Sequence, residues 1–84
     1  MASAKDARKI VLDEINAILK RKDPSAKPAD PKERLFGGAS GMDSLDLAEL
    51  VVRLEGIFGT DPFGSGQSVQ TIAELIAFYE REGR

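Results

Sequence analysis

Neither cysteine nor histidine occurs among the 84 residues, and this limits the fold more than any other feature. A chain this short has one modest core, which is marginal unless a disulfide, a metal or well-matched helices support it. Disulfides and thiolate or imidazole metal centres are closed to it. Carboxylates alone can take a hard cation, but no segment has the Asp/Asn/Gly/Glu spacing of a calcium loop, so no metal is expected. Helix packing is left to hold one domain, spanning residues 1–84.

The apolar spacing supplies the helices. Ala7, Ile10, Val11, Ile15, Ile18 and Leu19 recur at three and four residues, which predicts an amphipathic helix from about Ser3 to Arg21. Lys20, Arg21 and Lys22 suit its C-terminal end, and Pro24 stops it. Residues 22–43 form a long connection, punctuated by Pro24, Pro28, Pro31, Gly37, Gly38 and Gly41. A loop of that length in a small domain points to function. Leu35 and Phe36 are expected to anchor it to the core.

A second helix is predicted from about Ser44 to Phe58, closed by Gly59. At 100° per residue, Leu47, Leu50, Val51, Leu54 and Phe58 share a core face. Leu45, Ala48 and Val52 form another apolar strip, bordered by Asp46, Glu49 and Arg53 on one side and Glu55 on the other. Such a strip is either a docking surface or a second buried seam, and spacing alone leaves both open. Around Asp61–Phe63 a short fourth helix or turn is expected. A last helix starts at Ser68 as N-cap and buries Val69, Ile72, Ala73, Ile76 and Tyr79, with Leu75 and Phe78 widening the face. The fold class is therefore all-α: a bundle of three main helices plus a short fourth helix or turn.

Charge is unevenly spread. Residues 1–22 hold six basic and three acidic side chains, whereas residues 43–61 hold Asp43, Asp46, Glu49, Glu55 and Asp61 against Arg53 alone. An acidic second helix attracts basic partners and repels nucleic acid, so no nucleic-acid partner is expected. The N-terminal basic residues read as a solvated helix face. No apolar run approaches a membrane span or a signal peptide, and a soluble, cytoplasmic monomer is expected.

Gly41-Met42-Asp43-Ser44-Leu45-Asp46 places a hydroxyl at the start of a helix, where unpaired N–H groups favour a phosphate ester. From position alone, a serine or aspartate at a helix start is most often only a cap. This segment, followed by LAELVVRLEGIFG at 47–59, resembles the phosphopantetheine attachment region of acyl carrier proteins. The likeness extends to the first helix, the Pro/Gly loop and the last helix. It implies that Ser44 accepts 4′-phosphopantetheine from coenzyme A through a phosphopantetheinyl transferase, which recognises the Gly41, Met42, Asp43 and Leu45 motif. It also implies that Leu45, Asp46, Ala48, Glu49, Val52 and Glu55 face partner enzymes. These would be acyl-transferring or acyl-activating synthases of fatty-acid, polyketide or related biosynthesis. The protein itself would catalyse nothing. Asp46 after Leu45 leans towards an acyl rather than a peptidyl carrier, with a peptidyl or aminoacyl carrier as an alternative.

Two departures from the family pattern stand out. Arg53, Gly56 and Ile57 interrupt the acidity of the second helix, and the connection from Phe58 to Val69 is short. Both suggest a specialised carrier. A hydrolase built on Ser44 would need a neighbouring base, usually His, which the chain lacks. The remaining rival is a non-catalytic helical interaction module in which Ser44 merely caps.

Overall fold

The computed structural model describes residues 6–35, 41–64, 66 and 68–82. Three helices follow in order: α1 (Ala7–Lys22), α2 (Ser44–Phe58) and α3 (Ile72–Glu82). Helix α1 packs against both of the others. It does so because its apolar stripe, Ala7, Val11, Ile15, Ile18 and Leu19, is buried along its whole length, with Ile10 and Leu12 packed at the margin. The expected start at Ser3 lies outside the described residues. Lys20, Arg21 and Lys22 occupy the last turn, and the Asp23 N–H bonds back to the Leu19 carbonyl at 2.9 Å.

Helix α2 keeps its predicted bounds. It contributes Leu50, Leu54 and Phe58 to the core, while Leu47 and Val51 are only half-buried. The narrower face follows from α2 having one close helical neighbour along most of its length. Its end is closed by Gly59 at φ 81°, whose N–H reaches the Glu55 carbonyl at 2.8 Å. A Cβ there would meet nothing within 4 Å, so a side chain is penalised by the left-handed backbone alone. Gly59→Ala is expected to cost about 1 kcal/mol, visible as a lower urea midpoint with unchanged far-UV circular dichroism.

The aromatic residues join α2 to α3. Phe58 stacks on Tyr79 with centroids 4.6 Å apart, and Phe78 meets Tyr79 edge-on at 5.0 Å. Tyr79 is fully buried and its hydroxyl donates to the Thr60 carbonyl at 3.0 Å. Burial pushes its phenol well above the ordinary tyrosine range, so it stays neutral as a donor.

Leu35 is buried as expected, whereas Phe36 falls outside the described residues. Leu35 is held by backbone pairing: its N–H donates to the Gln70 carbonyl at 2.9 Å, and the Ile72 N–H donates to the Glu33 carbonyl at 3.0 Å. This isolated bridge between Arg34 and Thr71 keeps residues 68–71 extended and moves the start of α3. Thr71, not Ser68, is the cap. Its Oγ1 accepts from the Glu74 N–H at 3.1 Å, while Glu74 Oε1 accepts from the Thr71 and Gln70 amides at 3.0 Å each. The Thr-x-x-Glu spacing at 71–74 was the available signal. Ala73 is consequently exposed rather than in the core.

Nor is there a fourth helix among the described residues. Asp61 Oδ1 accepts from the Phe63 N–H at 2.9 Å, and residues 62–64 form a turn. The Asp carboxylate satisfies locally the amide that a helix would have paired, so the architecture is a three-helix bundle.

Candidate functional site

The segment 41–46 turns into α2 through three linked devices. Gly41 adopts φ 81°, a conformation that a side chain resists. Met42 is buried and pins the turn to the core. Asp43, in an extended conformation, is the N-cap: its Oδ1 accepts from the Asp46 N–H at 2.9 Å, and Asp46 Oδ2 accepts in return from the Asp43 N–H at 3.1 Å. This reciprocal box satisfies two amides at the helix start.

Its consequence for Ser44 is direct. Asp43 takes the capping role, so Ser44 sits one position inside the helix, exposed. Its hydroxyl has no hydrogen-bond partner among the described residues. The helix N-terminus around it carries partial positive charge.

Ser44 also borders a shallow, open apolar depression of about 360 Å³, lined further by Leu47, Ala48, Val51, Val52 and Phe63. The strip of Leu45, Ala48 and Val52 is exposed rather than buried as a seam, with Leu45 at 79% and Val52 at 67%. Leu47 and Val51, expected in the core, are half-buried and line this depression, Leu47 while also packing against the core. Phe63 was not anticipated. An aromatic residue between Pro62 and Gly64, with no apolar period to place it, was the sole sequence hint.

Asp46, Glu49 and Arg53 on α2 are engaged within the chain. Lys22, from the end of α1, reaches Asp46 Oδ2 at 2.5 Å and the Gly41 carbonyl at 2.9 Å, with Asp43 Oδ2 at 3.8 Å. Arg21 clamps both Glu49 oxygens, at 2.7 and 2.9 Å. Arg53 Nε pairs with Glu14. Glu55 is exposed on the other flank. By sequence, Arg21 and Lys22 belong to a solvated helix face. Nothing in one dimension reveals that α1 and α2 align these positions.

Hydrogen bonding to Lys22 holds the Asp46 carboxyl below the ordinary aspartate range, and Arg21 does the same for Glu49. A carboxyl depressed in the folded state contributes stability that is present above its unfolded pKa and lost as pH falls through the folded one. The melting temperature is therefore expected to drop mainly below about pH 4. The double variant Asp46→Asn/Glu49→Gln should show a shallower acid limb between pH 5 and 2.5 by circular dichroism. An acid limb identical to the parent's would place the titrating groups elsewhere.

No helix is long and apolar enough to cross a membrane, and no acidic cluster suited to a metal ion occurs, among the described residues.

Residues 9–79 match the family model described as the phosphopantetheine attachment site. The chain is 29% identical over 83 residues to the acyl carrier protein of Solidesulfovibrio magneticus (strain ATCC 700980 / DSM 13731 / RS-1), covering 98% of this chain and 96% of that one. No solved structure matches the chain at comparable stringency. The match spans all three helices and the turn before α2, and the cofactor of such proteins is 4′-phosphopantetheine. The chain belongs to the phosphopantetheine-attachment family, that of the acyl carrier proteins.

Proposed function

We propose that Ser44 bears the 4′-phosphopantetheine arm and that the protein delivers acyl intermediates to enzymes of fatty-acid, polyketide or related biosynthesis in the cytoplasm. The observation that carries this reading is the capping box: Asp43 and Asp46 satisfy the helix start between them, leaving the Ser44 hydroxyl exposed and unspent. An anionic phosphodiester on that oxygen lies where the N-terminal amides of α2 favour negative charge. When bound, the arm supplies a thiol that holds cargo as a thioester, chemistry that a chain without cysteine lacks.

The chain's own residues present and are read, while partner enzymes supply catalysis. Gly41 and Met42 set the turn, and Asp43 fixes the first turn of α2 so that a transferase meets Ser44 in one orientation. Leu45, Ala48 and Val52 form the surface that transferase and synthases contact, with Asp46, Glu49 and Glu55 at its edges. The depression lined by Leu47 and Val51 gives an apolar surface next to the attachment oxygen.

The test is intact-protein mass after incubation with coenzyme A and a broad-specificity phosphopantetheinyl transferase, followed by fragmentation to locate the adduct. One phosphopantetheinyl group on Ser44 is the expected result. No gain, with an enzyme that modifies a control carrier in the same tube, would turn the reading towards a helical interaction module.

A further inference from the structure

Asp46 and Glu49, which border one side of the α2 strip, do not present a free acidic edge. Lys22 and Asp46, Arg21 and Glu49, and Glu14 and Arg53 form a ladder between α1 and α2. Three positive charges stand against three negative ones, and the order of signs is opposite on the two helices. An exposed ion pair is individually weak, about 0–1 kcal/mol, so these pairs can exchange. Exchange does not alter their sum. A diffusing partner responds to the charges summed over a Debye length of roughly 8 Å, and over the ladder that sum is zero. Outside the ladder, Asp43 stands 3.8 Å from Lys22, and Glu55 and Asp61 lie near Tyr79 towards the C-terminal end of α2.

Beside the ladder, the outward surface is apolar. Leu45 and Val52 are mostly exposed, Phe63 is 41% exposed, and Ala48 lies between them over the depression next to Ser44. Side chains of this size left in water on one face of a small domain gain most from being covered.

We propose that this face docks its protein partners by apolar contact, with Arg21 and Lys22 acting as built-in counter-ions that cancel the steering field of Asp46 and Glu49. The partner that fits is a protein face that is apolar at its centre and requires no net positive charge. This rests on the carrier reading and refines how the carrier is recognised.

The experiment measures kcat/KM for arm attachment by a broad-specificity phosphopantetheinyl transferase, with coenzyme A saturating and the full chain as the varied substrate. Sodium chloride is set at 25, 100 and 400 mM. The parent protein is expected to change by less than about threefold across that range, against the steep fall of a steered encounter. Leu45→Ser/Val52→Ser, at two exposed positions whose change leaves the core untouched, is expected to lose about tenfold or more at every salt concentration. Circular dichroism verifies that the variant is folded.

A tenfold or greater fall of the parent rate with salt overturns the inference, as does a Leu45→Ser/Val52→Ser rate close to the parent's. Either result leaves the carrier reading standing. Absence of any attachment at all three salts overturns the carrier reading, and the inference with it.

Discussion

Ser44→Ala is expected to abolish arm attachment completely and to leave the bundle almost as stable as before. The two halves of that result have separate causes. Attachment needs a hydroxyl oxygen to form the new bond to phosphorus, and alanine has none. Stability depends on the hydroxyl only if it caps the helix, and here Asp43 does that. Alanine is also the best residue for a helical interior. The urea midpoint should therefore move by no more than the roughly 0.5 kcal/mol typical of exposed positions.

Asp43→Ala should behave in the opposite way for stability. It removes the acceptor for the Asp46 amide and costs about 1 kcal/mol. Measuring both variants by urea titration and intact mass separates the attachment residue from the cap. A Ser44→Ala protein that still gains the arm would move the site to another hydroxyl. A large loss of stability in Ser44→Ala would show that the hydroxyl has a structural role after all.

Phe58→Ala is expected to have the largest effect on folding. Phe58 is 1% exposed and ends α2 against the ring of Tyr79, so it links the second and third helices at one point. Truncating a buried phenylalanine costs about 3–5 kcal/mol, and a stacked aromatic pair adds about 0.5–1.5 kcal/mol to what burial alone provides. A small domain has a total stability of only about 5–15 kcal/mol, and one without disulfide or metal falls towards the lower end. The variant should show a urea midpoint near zero at 37 °C, or residual helicity without a cooperative transition. A loss below about 2 kcal/mol would mean that neighbouring side chains refill the space, and that the Phe58–Tyr79 stack is less central than its geometry indicates.

The helices were legible in the sequence because their stripes obey a single period. Ala7 to Leu19 and Leu50 to Phe58 repeat at three and four residues, and burial follows that repeat directly. Helix α2 could be placed to the residue, since Asp43 and Gly59 mark its ends with chemistry that operates within one turn. The start of α3 was not legible from Ser68, although a serine before an apolar run suits a cap. Pairing with Glu33 and Leu35, more than thirty residues earlier in the chain, keeps residues 68–71 extended, and a non-local contact outweighs a local preference. The sequence leaves a short helix or a turn open around Asp61–Phe63; the structure has the turn, because Asp61 Oδ1 takes the Phe63 N–H that a helix would have paired.

The candidate site divides along the same line. From the sequence alone came the amphipathic stripes, the absence of any thiol or imidazole, and the Gly-Met-Asp-Ser-Leu-Asp segment at the head of a helix, all carried by composition and short-range spacing. Tertiary structure decided that the Leu45–Val52 strip is exposed, that Phe63 closes one side of the depression, and that Lys22 and Arg21 lie over Asp46 and Glu49. Those features depend on how α1 and α2 are rotated and aligned against each other. That alignment is set by burying two stripes together, and the residues facing outward contribute little to it.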